Sequence, residues 1–156
     1  LDKWLGNCDG RQAVFSKKAR GRRYTVTFID HGYCFNAGDW SFPDLSLQGV
    51  YYRNFVYEGV SGWDAFEPAL TQAEGLDPVD LWRCAESIPP EWYDHDPVTL
   101  EKLVDALFSR RLIIRDLITA FRDSSRNPFP NWGRTASYSL FSSPAADLIC
   151  NNSSLA

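Results

Sequence analysis

Apolar and polar positions alternate along Tyr24–Ile29, with aromatic and β-branched residues at every second place. This is the period-two pattern of a strand with one covered face. A shorter strand is predicted over Ala13–Ser16. Between them Lys17–Arg23, "KKARGRR", is short and holds Gly21, so the two strands are expected to form an antiparallel hairpin. Upstream, Leu1–Gly6 reads as a helix end or loop stopped by Gly6, and Asn7–Gln12 as a polar loop. From Asp30 to Gly62 the pattern is aperiodic but rich in aromatic residues. That predicts an irregular, packed segment, with Tyr51–Tyr57 a short helix or an extended piece. Connections this long within a domain usually carry function.

After Gly62 the period becomes helical. Trp63–Glu74 is one predicted helix. Pro78–Ser87 is a second, with Asp77 as its cap and Pro78 in its first turn. Over Pro97–Phe121, Leu100, Leu103, Val104, Leu107 and Phe108 fall on one helical face, and Ile114, Leu117, Ile118 and Phe121 on another. The register shifts near Ser109–Arg111, so two packed helices or one bent helix is expected, with Asp96 as a cap. Ser124–Ala156 is rich in Ser, Asn and Pro and is expected to be loosely held. The fold class predicted is α+β and mostly helical: a domain over 1–123, in which a small hairpin precedes a helical layer, and a tail over 124–156.

Composition narrows the function. With 156 residues, 44% of them hydrophobic, the chain can build a real core. A net charge of −4 and a pI near 5.1 argue against direct nucleic-acid binding, which needs a basic face. No apolar run of about 18 residues predicts a membrane span, and Leu1–Gly6 lacks the apolar core of a signal peptide. Cys8, Cys34, Cys84 and Cys150 are widely spaced, with no C-x-x-C pair, so reduced thiols and a cytoplasmic location are expected rather than a zinc site. There is no methionine at all. Together with an opening in the middle of a motif, this predicts a piece of a longer protein.

Two acids stand beside glycines: Asp9 in "GNCDGRQAVF" and Asp30 in "YTVTFIDHGYCF". Singly, each is an ordinary turn residue, because Asp bonds nearby backbone N–H groups and Gly accepts positive φ. A hairpin changes that reading. Its strands lie about 4.8 Å apart, and Asp9 precedes the first while Asp30 closes the second. Both carboxylates are therefore expected at one end of the ribbon. Like charges held close repel unless a cation lies between them. Mg²⁺ favours one or two carboxylates plus substrate phosphates, and phosphoryl transfer uses one acid toward the hydroxyl and another toward the metal.

The order of loop with Asp, short strand, turn and strand ending in I-D-x-G resembles the C-terminal lobe of protein-kinase-like enzymes. In detail, "DKWLGNCDGRQAVF" followed by "FIDHGYCFNAGDWSFPD" is similar to a bacterial group of HipA-like kinase domains, with kinship to type II phosphatidylinositol 4-kinases. The resemblance covers about Leu1–Phe121, and its specific motifs lie between Asp2 and Asp44. It implies ATP and Mg²⁺ as cofactors and a protein Ser or Thr as phosphoryl acceptor. It also implies an antitoxin-like regulator among the partners. Asp9 matches the catalytic acid, Asn7 the residue that shapes its loop, Asp30 the metal-binding acid and Gly32 the glycine of the metal motif. Arg11 suits a bidentate phosphate contact or a pairing with Asp9; equally, it is a surface residue that fixes the loop. One position departs from the pattern. Val14 stands where the family has a metal-binding Asn, and Gln12 is the candidate substitute for metal and cofactor contact.

The resemblance also implies an N-terminal lobe with a phosphate loop and an ATP lysine. No glycine-rich phosphate loop occurs in this sequence, so the chain alone is expected to bind ATP poorly and to turn over little. Two other readings stay open: a degenerate, pseudokinase-like binding module, favoured by Val14, and a metal-dependent phosphohydrolase using Asp9 and Asp30 directly. "KKARGRR" reads as a solvated hairpin tip. The rings Trp40, Phe42, Tyr51, Tyr52, Phe55, Tyr57 and Trp63 read as packing against the helices rather than as a nucleobase platform.

Overall fold

The computed structural model describes residues 1–9, 12–17 and 24–134, and of Gln12 and Tyr24 it describes the backbone alone. Arg11, most of "KKARGRR", Cys150 and residues 135–156 lie outside the described residues.

A short helix α1 (Asp2–Leu5) leads into a loop and then the hairpin of β1 (Gln12–Lys17) and β2 (Tyr24–Ile29). The strands are antiparallel, with Gln12 opposite Ile29, Ala13 opposite Phe28 and Phe15 opposite Val26. Side chains alternate across a strand, so Ala13, Phe15, Val26 and Phe28 share one face. That face looks onto the helical layer across a cavity of about 680 Å³, whose far wall includes Leu70, Ile114, Ile118 and Phe121. The two walls do not close: Phe15 and Phe28 keep 58% and 49% of their surface exposed, against 3% for Leu70 and Phe121.

The segment that follows β2 is turn-rich as far as Gly49, and a 3₁₀ turn at Asn54–Tyr57 settles the Tyr51–Tyr57 expectation in favour of a short helix. Four longer helices come next: α2 (Glu67–Glu74), α3 (Pro78–Glu86), α4 (Pro97–Arg110) and α5 (Ile114–Arg122). The predicted caps are in place. The Asp77 carboxylate accepts the Val79 N–H at 2.8 Å, and Asp96 accepts those of Val98 and Thr99 at 3.0 and 3.2 Å. The register shift near Ser109 is a real break, because a 3₁₀ turn at Arg111–Ile113 separates α4 from α5.

The core lies in two clusters. Leu70, Ile114, Ile118, Phe121 and Phe129 form one; Ala85, Leu100 and Val104 form the other. Burial of each large apolar side chain stabilises by about 1.5–3 kcal/mol. The aromatic run divides. Tyr57 packs edge-on against Phe121 and Phe129, with ring centroids 5.4 and 5.6 Å apart, while Tyr52 and Phe55 are exposed. Over 124–134 the expectation of a loose segment needs correction; the rest of it, 135–156, lies outside the described residues. Pro128 and Phe129 are buried, and Trp132 stacks on Phe129 at 5.5 Å. A Ser/Pro-rich composition concealed three residues that bury apolar surface. Among the described residues, no helix is long and apolar enough to cross a membrane.

Candidate functional site

The site is built from the loop after α1 and the segment after β2. α1 ends at Gly6 in the left-handed conformation, φ 58°, where an added Cβ would stand 3.0 Å from the Phe42 ring. The chain then turns inward. Asn7 is the most deeply buried polar residue among those described, 2% exposed. Its Oδ1 accepts the Asp9 N–H at 3.0 Å, its carbonyl accepts the Gly49 N–H at 2.8 Å, and its own N–H donates to the Asp2 carbonyl at 3.0 Å. A buried residue whose side-chain oxygen and both backbone groups are bonded is costly to replace. Asn7 thus ties the start of the loop that carries Asp9 to Asp2 and Gly49.

Backbone pairing ties this loop to the segment beyond Asp30. The Cys8 N–H donates to the Tyr33 carbonyl at 3.0 Å, Phe35 N–H to Leu5 at 2.7 Å and Asn36 N–H to Gly6 at 3.1 Å. The Gln48 side chain adds a bond from Nε2 to the Gly6 carbonyl at 3.0 Å. Chain closure then places the acids. The circuit between the Cys8–Tyr33 bond and the Gln12–Ile29 pair contains both Asp9 and Asp30. Asp9 is half-buried and Asp30 exposed. Asp30 itself is left-handed, φ 55°, a conformation that Asp tolerates better than most residues. Gly32 lies next to it: an added Cβ would be 3.6 Å from Asp30 Oδ1.

Asn7 and Asp9 on one segment, and Asp30 and Gly32 on the other, therefore lie on two stretches joined by the Cys8–Tyr33 bond and by the hairpin pairing. Arg11 and the side chain of Gln12 lie outside the described residues. Val14 sits inside β1 opposite Thr27, half exposed at 50%, with no donor atom to offer a metal. The donor set fits Mg²⁺ in its usual mode, in which one or two carboxylates share the ion with substrate phosphates. Of the residues singled out for a metal, Asp30 is described, and it is the one that would hold the ion. Among the described residues, no group of three or more His, Cys, Asp and Glu is arranged to hold a metal by protein ligands alone.

Sequence reasoning missed the residues that anchor this unit from below. Arg110 is only 7% exposed. Its Nε and Nη2 donate to the carbonyls of Trp4 and Lys3 at 3.0 and 3.2 Å, its Nη1 pairs with Asp44, and its guanidinium lies 4.1 Å from the Phe42 ring centroid. Trp4 Nε1 returns a bond to the Leu107 carbonyl at 2.8 Å. Lys3 Nζ donates to the carbonyls of Leu45 and Ser46 at 3.2 and 2.6 Å. Burial pushes the Lys3 ammonium down to about 8, with neighbouring Arg110 adding to the effect and Asp44 opposing it. Gly49 permits a close approach, since at φ 67° an added Cβ would come within 2.5 Å of the Asp2 carbonyl oxygen. The one available signal was spacing: Arg110 follows Leu103 and Leu107 at helical intervals, an arginine on an otherwise apolar face.

No protein-family model, no curated protein and no solved structure matches the chain.

Proposed function

We propose that this chain is the catalytic C-terminal part of a HipA-like kinase, transferring the γ-phosphoryl group of ATP to a hydroxyl of a protein Ser or Thr. The observation that supports this reading is the hydrogen-bonded circuit that carries Asp9 and Asp30 together at the open end of the hairpin. Two acids of different exposure, on two loops stitched to each other, suit the division of labour in phosphoryl transfer. Asp9, with its backbone pinned by Asn7, orients the acceptor hydroxyl and takes its proton. Asp30 faces solvent, where it would hold Mg²⁺. Mg²⁺–ATP, when bound, supplies the phosphoryl group and neutralises its charge. The protein's own contribution is positioning and fixed electrostatics. The partners of this reading are ATP, a protein substrate and an antitoxin-like regulator, and its setting is the bacterial cytoplasm.

A second reading is a pseudokinase-like module that binds a partner without turnover. Val14 favours it, since the strand position where the family pattern has a metal-binding Asn offers no ligand atom. Calorimetric titration of ATP into the full-length protein, with and without Mg²⁺, separates the two. Magnesium-dependent binding that Asp30→Asn weakens, with phosphotransfer abolished by Asp9→Asn, supports the kinase. Absence of nucleotide binding refutes it and leaves the module. Magnesium-dependent release of phosphate from a phosphoester without ATP would point instead to a phosphohydrolase.

A further inference from the structure

A second cavity, of about 360 Å³, opens where the turns after β2 meet the turn that precedes α4. Asp39 and Trp40 line it from one segment, and Trp92, Tyr93 and Asp94 from the other. Trp40 and Tyr93 are half-buried and pack on the Ala85–Leu100–Val104 cluster, so the core holds two of the three aromatic residues in place. Trp92 is 74% exposed, the most exposed of the large hydrophobic residues described. Asp39 accepts a bond from Asn36 Nδ2 at 3.2 Å. The Asp94 carboxylate has no hydrogen bond or ion pair among the described residues. Among the described residues, no Lys, Arg or His lines the cavity.

These walls select a charge. Aromatic faces are electrostatically negative, and two carboxylates add full charges. An anion would be repelled. A neutral apolar molecule would cover Trp92 but strip water from Asp94 without repaying it. An alkylammonium group does both jobs: its methyl or methylene surface covers the indole, and its charge answers the carboxylates. A quaternary ammonium loses less on leaving water than a protonated amine does, being larger and having no N–H to satisfy. The volume is at the small end of ligand sites. We propose that this cavity binds a small alkylammonium cation. The inference is independent of the kinase reading, since it uses none of Asn7, Asp9, Asp30 or Gly32.

The test titrates choline into the full chain, followed by tryptophan fluorescence and by chemical shifts of the indole N–H groups. The control ligand is 3,3-dimethylbutan-1-ol, which has the shape of choline without its charge. Saturable choline binding is expected, at least tenfold tighter than that of the neutral isostere. Trp92→Ala and Asp94→Asn, both at exposed positions that leave the core intact, should each weaken it, the first by about 2- to 30-fold, the range of a cation–π contact. Equal binding of the two ligands, unchanged affinity in both variants, or no saturable binding of choline overturns the proposal. Binding of a trimethyllysine peptide while free choline is silent overturns it too, by placing the cation on a protein partner.

Discussion

Replacing Arg110 with Ala tests whether the candidate site is held from beneath. The guanidinium makes two bonds to backbone carbonyls at the end of α1, those of Trp4 and Lys3, and one to Asp44. A hydrogen bond from a charged donor contributes about 1.5–3 kcal/mol, and a buried acceptor left without a partner costs a similar amount. Asp44 keeps 38% of its side chain exposed and can turn to water, so its share is small. The two carbonyls dominate, and Arg110→Ala should cost about 3–5 kcal/mol. In a urea titration with a slope of about 2 kcal/mol/M, the midpoint should fall by roughly 2 M. Arg110→Lys keeps the charge but loses the fork that reaches three acceptors, and should fall between the two. Hydrogen exchange localises the effect. In Arg110→Ala the amides of Asn7, Cys8 and Phe35 should exchange faster than the wild-type ones, because α1 is the support from which that loop springs. A stability loss under about 1 kcal/mol, with those amides still protected, would refute the reasoning and reduce Arg110 to a tolerated buried cation.

Three further outcomes follow from other parts of the structure. Gly49→Ala forces a side chain into left-handed backbone and within 2.5 Å of the Asp2 carbonyl oxygen; it should cost at least about 1–3 kcal/mol, and a variant as stable as wild type in thermal unfolding would show that this close approach is not required. Phe129→Ala should cost about 3–5 kcal/mol, as for other buried aromatic residues, and a value near zero in the same urea assay would put residue 129 back into a loose tail. Lys3 makes stability depend on pH. Its folded-state value, lowered from 10.5 to about 8, means that the unfolded chain binds the extra proton between those limits. The Lys3 contribution is therefore unfavourable below about pH 8 and is relieved as pH rises toward 10.5. Stability of the wild type relative to Lys3→Met should rise across that window, and a flat difference would refute the assignment.

Local signals carried much of the secondary structure. Alternation along Tyr24–Ile29 and the short connection behind it were enough for the hairpin and its antiparallel sense, because a strand's period is set by backbone geometry alone. Asp77 and Asp96 announced two helix starts, since a cap bonds N–H groups only two or three residues away. The same locality made the acids legible: Asp9 before one strand and Asp30 after its neighbour must come to one end of a ribbon, whatever else the chain does. What those acids do in the cell is a reading from motif resemblance, and the coarse α+β architecture is compatible with it.

Other features needed the tertiary structure. Nothing near Arg110 in the sequence says that it reaches Lys3 and Trp4, more than a hundred positions earlier, because a buried arginine on a helix differs from an exposed one only in what is packed over it. Phe129 hides in a Ser- and Pro-rich stretch whose average composition reads as loose, yet its ring packs against Phe121 and against Tyr57 and Phe66, which the chain brings in from far away. The cavity beside Trp92 joins two segments some fifty residues apart and has no signature in either. The sequence determined the local elements and the end of the hairpin where the acids sit, because those follow from short-range geometry. Only the tertiary structure decided which polar groups are buried and which loops are bonded to one another, because burial and long-range hydrogen bonding depend on which distant surfaces meet.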